Sequence, residues 1–200
     1  MVSSAEIESF VKSYSAAGFN GIRFAWNGKH SSEFSDTNQE YRAQVAAFVI
    51  DQPHKAPLAL VRDLFLEEAK WCREAWGCSK SFPSLAEALV KKGGVAFLDD
   101  FLKGLMTSFD TFVACHQMNL RKYDVDEFSR AIEERLAKEQ DKQIRALLES
   151  GRELFQKYRD GNASRGWVFL PPDTPVSNVG VVQPTIRQRI QRRLTGILKK

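Results

Sequence analysis

Arg23, Phe24, Trp26, Lys29 and His30 bring aromatic rings, cations and an imidazole into one short stretch of the chain. Such a mixture can stack a flat ligand and hold an anion through cation–π and charge-assisted contacts, and loops carry such sites often. The plainer reading is that Ile22, Phe24 and Trp26 only anchor the loop to the body. The need of an isolated hairpin for packing favours that reading. Arg23 and His30, joined by His116, are the residues from which a catalytic polar site would be assembled, while Trp26 and Lys29 are candidates for binding.

The spacing of Arg23 and His30 resembles that of the Arg/His pair of HEPN-type ribonucleases, but here the pair falls on a glycine-containing loop instead of a helix, and no family is assigned. Cys72, Cys78, Cys115 and His116 are the soft-ligand candidates. The gap between Cys72 and Cys78 is a poor match to the close pairs of zinc sites, so buried thiols are expected, with no metal and no cofactor. His116 reads as a helix-capping or core histidine and His54 as a loop residue. The neighbouring acids Glu67-Glu68, Asp99-Asp100 and Glu133-Glu134 point about 100° apart on a helix and do not make catalytic carboxylate pairs. There is no phosphate-binding glycine loop, dinucleotide fingerprint, H-E-x-x-H or G-x-S-x-G.

Charge is the most one-sided feature. After Asp173 the chain carries Arg187, Arg189, Arg192, Arg193, Lys199 and Lys200 and no acid, against a net charge of +4 for the whole chain, which leaves residues 1–173 at −2. On a helical wheel Ile186, Ile190, Leu194, Ile197 and Leu198 share one arc with most of the arginines opposite, so residues 185–200 are expected to form a basic amphipathic helix. Alone in water such a helix is marginal and needs a surface. That surface is its own body, a second copy of the chain, nucleic acid, an acidic protein or an anionic membrane.

The elements that must position these residues are helical. Ser3 or Ser4 caps a first helix through Ile7, Phe10, Val11 and Tyr14. Two Asn-Gly pairs bracket Ile22–Trp26 as a short strand or loop. A second helix runs from near Asp36 to Pro53 and a third from Pro57 to Gly77. Ser81 to Val90 is a short helix. Val95 to Leu120 carries the most apolar stripe, Leu98, Phe101, Leu102, Leu105, Phe109, Phe112 and Val113, and is expected to be the central helix, with a possible break at Gly104. Asp124 to Glu127 has a capping-box pattern and opens a long helix to Tyr158, within which Gly151 is a candidate kink or split.

With 43% hydrophobic residues and fourteen Phe in 200 residues, the chain can bury one sizeable core. The expected fold is all-α: a multi-helix array with at most a minimal two-stranded sheet, Ile22–Trp26 against residues 167–170, and a basic C-terminal helix. It divides into a helical domain over 1–161, an extended Pro-containing linker over 162–184 and the basic helix over 185–200. No secretory signal and no bilayer-length apolar run is visible, and three cysteines suit free thiols, so a cytoplasmic protein is expected. The expected function is non-enzymatic binding or regulation through the basic helix, with nucleic acid slightly ahead of an acidic protein or anionic membrane, and with a homo-oligomer through that helix as a further partner. The alternative is an all-α enzyme with a polar site near Arg23 and His30.

Overall fold

The computed structural model describes residues 2–161, apart from the side chains of Lys122 and Tyr123; the expected linker and basic helix lie outside the described residues. The architecture is all-α. Helix α1 (Ser4–Lys12) starts at a capping box in which Glu6 and Ser3 satisfy each other's amides, and the short turn α2 (Phe19–Ile22) follows. Then come α3 (Gln39–Asp51), α4 (Leu58–Ala75), α5 (Phe82–Gly93), α6 (Leu98–Leu105), α7 (Phe109–Ala114), α8 (Lys122–Leu136) and α9 (Lys142–Arg159). Among the described residues there is one isolated antiparallel bridge, between Trp26 and Asp36, and no strand; the expected partner of Ile22–Trp26, residues 167–170, lies outside the described residues. The Asn20-Gly21 pair lies inside α2 and turns no hairpin.

The central element is α4, not the Val95–Leu120 segment: α5, α6 and α7 all pack on α4, while α8 and α9 pair with each other and close over α6. Its register follows from the apolar row Val61, Leu64, Phe65, Ala69 and Cys72, all buried. A chain of phenylalanines ties the bundle together, with one ring from each of α4, α5, α6, α8 and α9. Phe82 of α5 stacks on Phe65 of α4 at 5.1 Å, Phe65 on Phe101 of α6 at 6.1 Å, and Phe101 meets Phe128 of α8 and Phe155 of α9 at 6.1 and 5.7 Å. Each such pair adds about 0.5–1.5 kcal/mol beyond area burial.

Two expected continuous helices are divided. The Val95–Leu120 stretch breaks after Leu105, where Ser108 and Thr111 cap α7 reciprocally. Gly104 is no break: it lies within α6, and a Cβ there would stand 2.2 Å from Phe65 Cε1, so the glycine permits close approach of α6 to α4. Phe101, Leu105 and Phe112 are buried as expected, but Phe109, at the first position of α7, is half-exposed. The long helix is split at residues 137–141, where Asp141 accepts the amides of Gln143 and Ile144 at 2.7 and 3.0 Å and starts α9. Gly151 neither kinks nor splits α9; it makes room for Leu102.

Truncating Phe101, the ring shared by three pairs, to Ala is expected to cost about 3–5 kcal/mol, and Gly104→Ala to destabilise by displacing Phe65. Denaturant melts that left either variant at the parent midpoint would contradict this packing.

Candidate functional site

The stretch with chemistry-bearing residues forms a loop, residues 23–38, that lies against the C-terminal half of α4. Its course is set by a buried charge cluster. Arg42, on the apolar row of α3 with Val45, Ala46 and Val49, is 0% exposed. Its Nη2 donates to Asp36 Oδ2 at 2.7 Å, its Nε to Glu68 Oε1 on α4 at 2.6 Å, and its Nη1 to the Ile22 carbonyl at 3.5 Å. The carboxylates spend their remaining capacity on the surrounding chain. Asp36 Oδ1 accepts the amides of Ala25 and Asn38, and Glu68 Oε2 accepts the Ser79 hydroxyl at 2.6 Å in the turn after α4. Beside this cluster, the Phe24 amide donates to Glu67 Oε2 at 2.8 Å. Burial alone would pull the guanidinium's pKa down, but Glu68 and Asp36 together push it up.

Held in this way, the loop projects a row of rings. Phe24 stacks on Trp26 (6.4 Å, 13°), Trp26 tilts against His30 (4.8 Å), and His30 stacks on Trp76 (5.4 Å, 17°). The row is locked by short polar contacts. Trp26 Nε1 donates to the Lys29 carbonyl at 2.7 Å, and His30 Nδ1 lies 3.3 Å from the Glu74 carbonyl. A carbonyl only accepts, so Nδ1 carries the proton and the neutral ring keeps Nε2 as an acceptor. Asn27 organises the turn with Gly28 by accepting the Lys29 and Ser35 amides and donating to the Glu33 carbonyl. Gly28, at φ +78°, supplies the left-handed backbone this turn needs.

Trp76 is the unusual member. It caps α4 in the left-handed region (φ 57°, ψ 42°), a position usually filled by glycine, and is 71% exposed. A bulky residue there costs about 1–2 kcal/mol of backbone strain. An indole that is both strained and exposed contributes little to the core, which points to a role at the surface.

Of the residues expected in a site, the structure gathers His30 and Trp26 on this ledge. Arg23, the residue after α2, is exposed and forms no ion pair among the described residues, while Lys29 pairs with Glu33. The pair Arg23 and His30 is on loop, not helix. His116 belongs elsewhere: it lies in the 3-10 turn after α7, 1% exposed, with Nδ1 on the Phe112 carbonyl at 2.9 Å and Nε2 3.4 Å from Lys157 Nζ. His54 is exposed beside Pro53. Cys72 and Cys115 are buried, Cys78 is half-buried, and no cluster able to hold a metal occurs among the described residues. Arg187, Arg189, Arg192, Arg193, Lys199 and Lys200 lie outside the described residues. Trp76 and the Arg42 cluster were not singled out from sequence. A visible signal existed for the latter: Arg42 and Glu68 each interrupt an apolar row, and a charge in such a row needs a partner.

Comparison with family models, curated proteins and solved structures finds no match for this chain.

Two outcomes follow. Arg42→Met, which keeps the volume but leaves Asp36 and Glu68 facing each other, is expected to cost about 3–5 kcal/mol; a denaturant midpoint equal to the parent's would refute the pinning role. Burial lowers the pKa of His116 below its ordinary value, the Lys157 ammonium adds to this, and the Phe112 carbonyl and Glu153 oppose it. The folded imidazole therefore resists a proton that the unfolded chain accepts below about pH 6.5. Its contribution is complete above that pH and is lost as pH falls toward the depressed folded value. His116→Gln should flatten this part of a stability–pH profile, and an unchanged slope would contradict the assignment.

Proposed function

We propose that the chain is a non-enzymatic nucleic-acid-binding protein, in which the Trp76 ledge stacks unpaired bases and the basic C-terminal segment neutralises phosphates. The observation that carries this reading is the row of four rings, half-buried at Phe24 and Trp26 and exposed at His30 and Trp76. Stacking a base on an aromatic face is worth about 1–3 kcal/mol and tolerates any base, because every base has a π-face. The segment over 185–200 has cations but no aromatic side chain, and the ledge has rings but few uncompensated cations. Arg23, the residue before Phe24, is exposed and adds a cation to the loop. A duplex hides its base faces, which favours single strands or unpaired ends as the ligand.

Fluorescence titration with single-stranded oligonucleotides tests the reading. If all six C-terminal cations meet phosphates, log affinity should fall against log salt with a slope of about −4 for a single strand, against about −5 for a duplex. Trp76→Ala should weaken binding by about 5- to 150-fold, the equivalent of one stacked base. Trp76→Gly should do the same while raising the melting temperature, because glycine relieves the left-handed strain. No salt-sensitive binding to any oligonucleotide, or binding indifferent to Trp76, would refute the proposal; selective capture by anionic vesicles would replace it with a membrane role.

A further inference from the structure

His30 is held by three contacts that all suit a positive charge. Its ring centroid is 4.8 Å from that of Trp26 and 5.4 Å from that of Trp76, both inside the range at which an indole face attracts a cation. Its Nδ1 donates to the Glu74 carbonyl in the last turn of α4, where carbonyls lack a helical partner and the helix dipole presents its negative end. A proton added at Nε2 leaves these contacts in place and strengthens each of them. His30 is exposed and its Nδ1 is engaged, so Nε2 is the ring atom left for a ligand. The charged groups around it are largely paired: Lys29 with Glu33 on the loop, and Lys70 with Glu67 and Arg73 with Glu74 on α4. Arg23 on the loop adds an exposed cation, and Cys78 and Lys80 follow Trp76 in the turn after α4. Carboxylates, thiols, ammonium and guanidinium groups as classes keep their charge state between about pH 5.5 and 7.5, whereas an imidazole changes its own there. His30 is therefore the member of the ledge that answers to pH.

We propose that His30 is a proton-gated phosphate contact: as an imidazolium it donates from Nε2 to the phosphodiester of a nucleotide stacked on Trp76, so that the protein holds single strands more tightly as pH falls. This rests on the reading of the ledge as a nucleic-acid site and adds the residue that regulates it. In the neutral ring Nε2 presents a lone pair, which repels a phosphate oxygen. In the imidazolium the same atom is a donor, and its hydrogen bond to the phosphate is charge-assisted. Binding then takes up a proton from solution. By reciprocity, the factor by which that proton tightens the ligand is the factor by which the ligand tightens the proton. The Glu74 carbonyl and the two indoles hold the ring in one place in both charge states, so the switch changes the chemistry of the ledge without moving it.

The test uses the full chain and a single-stranded oligothymidylate, whose bases take up no proton in this range. At fixed salt its affinity should rise about tenfold as pH falls from about 7.5 to about 5.5, the low end for a hydrogen bond to a charged group because the ring is exposed. His30→Phe keeps a ring between the two indoles but cannot titrate, and it should bind at both pH values with the affinity the parent shows at the higher one. In parallel, nitrogen NMR of the imidazoles follows the three histidines of the chain, and the signal missing from His30→Phe belongs to His30. With the oligonucleotide that signal should take up its proton about one pH unit higher than without it, the same tenfold factor read from the other side, while the signal of exposed His54 stays where it is. Salt-sensitive, Trp76-dependent binding with a single pH profile for the parent and His30→Phe would overturn this inference and leave the nucleic-acid reading standing. Absence of oligonucleotide binding at either pH would overturn both.

Discussion

One guanidinium shared between two carboxylates in a fully buried setting is the constraint on which the rest of this structure depends. Arg42 reaches from α3 to Asp36 in the loop and to Glu68 in α4, and Glu68 passes the connection on to Ser79 in the turn before α5. Desolvating three charges is costly, and a well-packed apolar substitute would serve stability as well or better. What the cluster adds is position. Asp36 accepts the backbone amides of Ala25 and Asn38, and the neighbouring Glu67 accepts that of Phe24, so a loop with little regular structure of its own is held in one conformation.

That positioning matters because the loop cannot hold itself. It contains one isolated bridge, and side chains, Asn27, Asn38 and Asp36 among them, supply many of its other hydrogen bonds. The body beneath it is of the opposite kind, built from phenylalanine contacts and close helix approaches. Gly104 and Gly151 mark two of these, where α6 meets α4 and α9 meets α6. A rigid apolar frame thus carries a polar-tethered ledge, the usual division between scaffold and site.

Much of the frame was legible in the chain. Pro57 and Gly77 bracket α4, Ser3 caps α1, and the spacing of the core phenylalanines identifies the buried faces, because each of these signals is local. The errors fell where local signals agree on helix but tertiary contacts demand a turn. Residues 137–141 contain good helix formers, yet α9 must run back along α8 to bring Phe155 onto Phe101 and Phe128. Gly104 and Gly151 were read as breaks, since a sequence does not tell a glycine that relieves contact from one that ends a helix. The ledge is half-visible in the sequence: Trp26 and His30 stand out by type, whereas Trp76 falls inside the helix expected from Pro57 to Gly77, and its exposure depends on a left-handed residue that no spacing announces.

His30 reaches the α4 end through a contact with Glu74, 44 positions away in sequence, and its ring lies flat on Trp76. These two rings are neighbours only when α3, α4 and the loop have assembled. A ligand that needs both surfaces therefore recognises the folded chain alone, and its binding energy is added in full to the folding equilibrium. At one hundred times its dissociation constant such a ligand contributes about 2.7 kcal/mol to stability. Occupancy and foldedness then become a single linked equilibrium, so that the cellular lifetime of the protein would report the concentration of whatever it holds.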